Sequence, residues 1–189
     1  MNTKLNTTKK YNVIGIMSGT SIDGIDFAFL KTNGTNYVKV ISGKTYKYNI
    51  NYKIKIKNFI NKLKKDHNIS LETIDYIVSK KFLKMTKKFI KDYKINPKKV
   101  DYIGFSGQTV LHQPNKKISI QLGSGKFLAE KLKINVISNF RQNDILNGGQ
   151  GAPIASFYNK FLIKKINKNF AFVNIGGISN ICYISKNNI

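Results

Sequence analysis

Gly15-Ile16-Met17-Ser18-Gly19-Thr20-Ser21-Ile22-Asp23-Gly24-Ile25-Asp26 is the stretch whose reading decides the fold. It follows directly on a short apolar run, Tyr11 to Met17, that reads as a buried strand. The run breaks into small hydroxyl residues and two glycines, and the alternation Ile25-Phe27-Phe29 resumes as a second strand. A tight hairpin of this kind leaves backbone N–H groups and hydroxyls pointing at one spot, with no bulky side chain to hold an anion away. Gly19 to Gly24 is therefore a candidate phosphate cradle, with Asp23 and Asp26 available to orient a metal ion. By composition alone the same residues suit an ordinary Gly/Ser hairpin, and the rest of the chain has to decide between the two.

Outward from this hairpin, residues 11–18, 24–32 and 36–48 read as three strands, preceded by a disordered leader at 1–10. Residues 53–65 place Ile54, Ile56, Phe59, Ile60 and Leu63 on a helical stripe. A second helix opens near Ser70, with Glu72 in its first turn and a break expected near Ile77, and runs through Phe82, Phe89 and Ile90. Beyond Pro97 come a buried strand, Val100 to Phe105, a loop, Ser106 to Lys117, and a short strand, Ile118 to Leu122. Gly123-Ser124-Gly125 then leads into a helix, Lys126 to Lys133, and Val136-Ile137 is a further strand. The Gly-rich loop Asn147 to Pro153 opens a helix from Ile154 to about Ile166, and strands Phe170–Ile175 and Ile178–Ile184 flank Gly176-Gly177. Hairpin-linked strands followed by helices alternating with single strands predict an α/β fold, a mixed sheet with flanking helices. In such sheets ligands bind at the strand ends, where the Gly- and Ser-rich loops gather. No tandem repeat or interdomain linker is evident.

A net charge of +24 over 189 residues suggests polyanions. Yet among 33 basic residues only Arg141 is an arginine. Base readout and bidentate phosphate clamps favour the guanidinium fork, and no aromatic stacking motif accompanies the lysines. Lys, Asn and Ile are jointly over-used, as in Lys53 to Lys65, the signature of AT-rich codons. A specific nucleic-acid partner is therefore not expected. The single cysteine, Cys182, excludes an internal disulfide and suits a buried thiol. With no apolar signal segment and no long apolar run, the expectation is a cytoplasmic protein without a membrane partner.

Five loops concentrate polar residues and glycine: Gly19–Asp26, Ser106–Pro114, Gln121–Gly125, Asn139–Pro153 and Asn174–Asn180. In order and content they resemble the anhydro-N-acetylmuramic acid kinase family, a branch of the actin-like, hexokinase-like ATPases. The matching residues are Met17 to Asp26; Gly107-Gln108-Thr109-Val110 with His112 and Pro114; Gln121 and Gly123; and Phe140-Arg141 with Asp144. Gly148 to Pro153 and Asn174-Ile175-Gly176-Gly177-Ile178-Ser179-Asn180 complete the set.

The resemblance implies an actin-like, ribonuclease H-like lobe over 11–189. It also implies use of ATP and Mg²⁺ to open the 1,6-anhydro ring of anhydro-N-acetylmuramate with water and phosphorylate the 6-hydroxyl, a step in peptidoglycan recycling. Gly19, Thr20, Ser21, Ile22, Asp23, Gly24, Ile25 and Asp26 would line the ATP phosphates. Asp23 or Asp26 would hold Mg²⁺ through water; alternatively, Asp26 caps the turn. Gln108, Thr109, His112, Arg141 and Asp144 are the candidates for the amino-sugar substrate. Arg141 could fork the lactyl carboxylate or simply pair with Asp144 at the surface. His112 could meet a sugar hydroxyl or be structural, and His67 is a solvated turn residue.

The sequence also departs from the family pattern. Ser106, Ser124, Asn139 and Ser156 stand where the family carries His, Asp, Asp and Pro. The family's water-activating aspartate, in an Asp-Thr-Gly-Pro-Gly-Asn motif, is not on this chain, so no catalytic residue is assigned within it. The expectation is an N-terminal lobe without its C-terminal half, inactive alone, prone to associate, and served by a complementing half or a homodimer. Its alternative is a non-catalytic remnant, or one half of a split kinase, that binds nucleotide or sugar weakly.

Overall fold

The computed structural model describes residues 8–163, 168–175 and 179–185. Most of the leader expected at 1–10 and the Gly176-Gly177 turn lie outside the described residues, as does the end of the helix expected to reach Ile166. Two compact units divide the chain, one comprising 1–112 and 120–139 and the other 113–119 and 140–189.

The first unit is built on a mixed sheet. Strands β1 (Tyr11–Ser18), β2 (Gly24–Thr32) and β3 (Val38–Lys47) run antiparallel in sequence, because two short turns return the chain on itself. β1 then pairs in parallel with β4 (Tyr102–Gln113), which pairs in parallel with β6 (Asn135–Ser138). With β5 (Ile118–Leu122) the strand order is β3-β2-β1-β4-β5, β6 lying along the first part of β4. Three antiparallel strands continued by parallel ones, with helices flanking, are the α/β mixed sheet of an actin-like lobe.

Helices α1 (Ile50–Lys65) and α2 (Glu72–Asp92) fill the long crossover from β3 to β4. The side chain of Asn49 caps α1 by accepting the Tyr52 N–H, so the helix starts earlier than its apolar stripe. Ile56 and Leu63 are buried on that stripe, whereas Ile54 faces out. α2 is continuous through Ile77, without the expected break, because Ile74, Val78, Phe82, Thr86 and Phe89 form one unbroken buried stripe. Its aromatics meet the sheet: Phe82 lies edge-on to Phe105 at 4.8 Å and Phe89 stacks on Phe27 at 5.0 Å. Each such side chain contributes roughly 1.5–3 kcal/mol through burial.

β4 departs most from the sequence expectation. The Ser106–Lys117 loop is instead strand through Gln113, then one 3₁₀ turn, Pro114–Lys116. The small and polar residues look like a turn, but β1 offers a parallel partner to their backbone. The strand accommodates them by taking up one extra residue, since Ile16 pairs with Phe105 and Ser18 with Gln108. Gly107 makes this possible: its φ is +68°, and a Cβ there would lie 2.8 Å from the Leu122 carbonyl oxygen.

α3 (Gly125–Leu132) is capped by Ser124, whose hydroxyl accepts the Phe127 N–H. The second unit contains α4 (Gln142–Leu146), α5 (Ser156–Ile163) and an antiparallel hairpin, β7 (Phe170–Asn174) with β8 (Asn180–Ile184). α4 was not expected; it is a single short turn inside a stretch that reads as Gly-rich loop. Cys182 is half-buried on β8. Among the described residues no helix is long and apolar enough to cross a membrane.

Candidate functional site

The Gly19–Asp26 turn leaves β1 at Ser18 and re-enters the sheet at Gly24. A backbone bond from the Ile22 N–H to the Gly19 carbonyl closes it, with Ile22 in the left-handed region at φ 56°. Burial of the Ile22 side chain compensates that unfavourable backbone for a β-branched residue. Two carbonyls of the turn are tied inward, and a third lies beside the Ser18 hydroxyl. Gly19 O accepts from the Gln108 Nε2 at 2.9 Å, Asp23 O from the Tyr48 N–H at 2.9 Å, and Gly24 O lies 2.8 Å from the Ser18 hydroxyl.

Donors, by contrast, are left over. Among the described residues nothing accepts the N–H of Thr20, Ser21 or Asp23, and the exposed Thr20 and Ser21 hydroxyls have no partner. At Gly19 an added Cβ would meet only the Ser21 hydroxyl, at 3.6 Å, so the turn is open where an anion would approach. Ile22, Gly24 and Ile25 are buried and offer backbone alone. Asp23 and Asp26 are both exposed, and the Thr45 hydroxyl donates to the Asp26 carboxylate. Among the described residues no cluster of three or more His, Cys, Asp or Glu is present. Two exposed carboxylates on a turn with unengaged N–H groups fit Mg²⁺, which keeps most of its waters and takes one or two carboxylates plus phosphate oxygens.

Behind the turn lies a buried polar cluster that sequence reasoning missed as a unit. Gln108 is fully buried; its Oε1 lies 2.6 Å from the Ser18 hydroxyl, and its Nε2 also reaches the Thr109 carbonyl at 3.2 Å. The Tyr48 hydroxyl donates to Ser18 at 3.1 Å. Burial pushes the Tyr48 phenol up to about 12, although the hydrogen bonds from its neighbours act in the opposite direction. Thr109 and His112 follow on β4, both half-buried. The signal in the sequence is a glutamine flanked by Gly107 and Thr109, in a stretch whose composition reads as a loop.

The Gly123-Ser124 turn is differently arranged. Its N–H groups are already taken, Gly123 by the Asp75 carboxylate at 2.7 Å and Ser124 by the Ser79 hydroxyl at 2.8 Å. It serves to dock α3 on α2. Ser106 donates to the Ile16 carbonyl at 3.3 Å, and Asn139 sits at φ 62°, a conformation that asparagine tolerates.

In the second unit, Arg141 and Asp144 converge on one residue. The Arg141 guanidinium donates to the Gly151 carbonyl at 2.6 Å, and the Asp144 carboxylate accepts the Gly151 N–H at 2.6 Å. Among the described residues the two do not form an ion pair, whereas Lys88 and Asp92 do, at 2.8 Å. Partial burial lowers the Arg141 pKa, and its Nε is buried without a partner. Gly149 packs against the Asp144 carboxylate so closely that no Cβ would fit. The Gly148–Pro153 loop, with its cis Ala152-Pro153 bond, is thus organised by these two side chains. The turn with Gln108, Thr109 and His112 belongs to one compact unit, and Arg141 with Asp144 to the other.

Comparison with known proteins adds a family to this geometry. The family model described as anhydro-N-acetylmuramic acid kinase matches residues 11–189. An anhydro-N-acetylmuramic acid kinase of Pelagibacter ubique (strain HTCC1062) is 39% identical over 188 residues, covering 95% of this chain and 49% of that protein. One from Legionella pneumophila (strain Lens) is 37% identical over 179 residues, covering 92% and 47%. One from Brucella canis is 34% identical over 182 residues, covering 92% and 49%. The chain spans about half the length of the curated relatives it matches.

Proposed function

The chain belongs to the anhydro-N-acetylmuramic acid kinase family, and on that premise we propose that its Gly19–Asp26 turn binds the phosphates of ATP. The observation that carries this is the sorting of polar groups at the turn. Carbonyls of Gly19 and Asp23 are engaged inside, while among the described residues the N–H groups of Thr20, Ser21 and Asp23 and two hydroxyls are unengaged. Phosphoryl transfer requires mainly positioning and charge neutralisation, and oriented donors supply both. Asp23 and Asp26 would hold Mg²⁺ through water, where the ion neutralises charge on the phosphates.

The reaction proposed for the protein as a whole is ATP-dependent opening of the 1,6-anhydro ring with phosphorylation of the 6-hydroxyl. Its product would be N-acetylmuramic acid 6-phosphate, in cytoplasmic peptidoglycan recycling. Thr109 and His112 are proposed to face the amino sugar. Arg141 and Asp144 are proposed to serve sugar binding through the Gly148–Pro153 loop that they shape, Arg141 retaining a free Nε. The water-activating aspartate of the family motif is not among these residues. We therefore propose that 11–189 form the nucleotide-binding N-terminal lobe and that turnover needs a C-terminal half or partner that supplies that base.

Isothermal titration with MgATP, alongside a coupled assay for sugar phosphorylation, tests this reading. Saturable MgATP binding without turnover is expected of the 189 residues. Absence of binding overturns the phosphate-loop assignment. Turnover by the purified chain, abolished in Asp23→Ala, overturns the requirement for a second half.

A further inference from the structure

We propose that Gln108 is a positioning residue for the Gly19–Gly24 turn, an inference that rests on the phosphate-loop reading and extends it to a residue that need not touch the nucleotide. Gly19 lies one residue beyond the end of β1, so its carbonyl has no strand partner. If that oxygen turned outward, its partial negative charge would stand against an incoming phosphate. The Gln108 amide removes it from the site by donating to it at 2.9 Å.

The amide's orientation follows from its neighbours. Gly19 O and Thr109 O can only accept, so the edge facing both is the NH₂. Oε1 is then directed at Ser18, 2.6 Å away, and the Ser18 hydroxyl in turn receives the Tyr48 proton at 3.1 Å. Ser18 has one proton and two acceptors, Gln108 Oε1 and Gly24 O, and the shorter contact is to Gln108. The result is a donor chain, Tyr48 to Ser18 to Gln108 to Gly19, running from the β3–α1 junction into the turn. Gln108, Ser18 and Tyr48 are 0%, 4% and 5% exposed, so bulk water has no route to replace a missing member. A merely space-filling residue at 108 would pack as well but would leave the Gly19 carbonyl held by the Ile22 N–H alone, at 3.2 Å.

The experiment combines amide chemical shifts of Gly19 to Gly24 in the free protein with MgATP affinity, in wild type, Gln108→Met, Gln108→Glu, Ser18→Ala and Tyr48→Phe. Gln108→Met removes all three side-chain bonds, to Ser18, Gly19 and Thr109, and Gln108→Glu keeps the acceptor for Ser18 but loses the donor. Both are expected to move the turn amides and weaken MgATP by about tenfold, the loss of one buried hydrogen bond. Tyr48→Phe leaves the Gln108–Gly19 bond in place, and a smaller effect of about threefold is expected. A folded Gln108→Met protein with wild-type turn shifts overturns the inference. Should the Gln108 variants not fold, unchanged turn shifts in Ser18→Ala overturn it instead. If wild type itself binds no nucleotide, the phosphate-loop reading fails, while the turn shifts still decide whether Gln108 positions Gly19.

Discussion

The Asp144 carboxylate accepts the N–H of Gly151 at 2.6 Å, seven residues along the chain. With Arg141 on the Gly151 carbonyl, both backbone polar groups of one glycine are held by side chains. Gly151 sits at φ +64°, and a Cβ there would lie 2.8 Å from Ile145 side-chain carbons. Gly148 also has a positive φ, +89°, but open space where its Cβ would be. Gly148→Ala is therefore expected to cost about 1 kcal/mol from backbone strain alone. Gly151→Ala should cost about 2–4 kcal/mol, because overlap adds to the strain. Urea unfolding of the two variants measures the difference, and equal losses would show that the Ile145 contact is unimportant.

Exposed hydroxyls at Thr20 and Ser21 make no structural bonds among the described residues, so their removal separates binding from folding. Thr20→Val and Ser21→Ala are each expected to change stability by less than about 0.5 kcal/mol. Each should weaken MgATP by about fivefold. Thermal melts and titration calorimetry on the same samples give the two numbers.

Phe82 is fully exposed to neither solvent nor loop; it is 0% accessible and edge-on to Phe105 at 4.8 Å. Phe82→Ala should destabilise by about 3–5 kcal/mol, through lost transfer energy and the cavity left between α2 and the sheet. Denaturant titration checks it, and a loss near that of an exposed substitution would mean that the helix repacks.

Tyr48 adds a pH dependence at the alkaline end. Its pKa is raised from 10.0 to about 12, chiefly by burial, so the folded state holds the proton more tightly than the unfolded chain. The associated stability is fully present below pH 10 and is lost as the pH rises from 10 towards 12. Unfolding free energy followed over that interval should fall in wild type and fall less steeply in Tyr48→Phe. Coincident curves would remove Tyr48 from the cause.

Local chemistry made much of the fold legible in advance. β1, β2 and β3 are marked by alternation and by turns built of small residues, and α1, α3 and the β7–β8 pair by period and flanking glycine. β4 beyond Phe105 was not legible, because Ser106-Gly107-Gln108-Thr109 has the composition of a turn and becomes strand only when β1 pairs with it. The break expected in α2 near Ile77 failed for a related reason, since a continuous sheet face stabilises a continuous stripe. At the candidate site, the turn between β1 and β2 was legible as a turn in the sequence. Asp75, Ser79 and Tyr48 were not, because their partners are at least 30 residues away along the chain.

The family and the identity of the Gly19–Asp26 turn are properties of residue order, which five loops in register carry without reference to distance. Order alone left open whether that turn is a hairpin or a cradle, because the same glycines and hydroxyls serve both. The tertiary structure sorts its polar groups, with Gln108 and Tyr48 drawing carbonyls inward and the N–H groups of Thr20 and Ser21 without an acceptor among the described residues. That sorting depends on partners that only folding brings within 3 Å, since a buried carbonyl must find a donor wherever the sheet supplies one. Likewise, Arg141 and Asp144 looked like a surface ion pair or substrate fork in the sequence. Burial and proximity bring both onto the Gly151 backbone, and among the described residues they form no ion pair with each other.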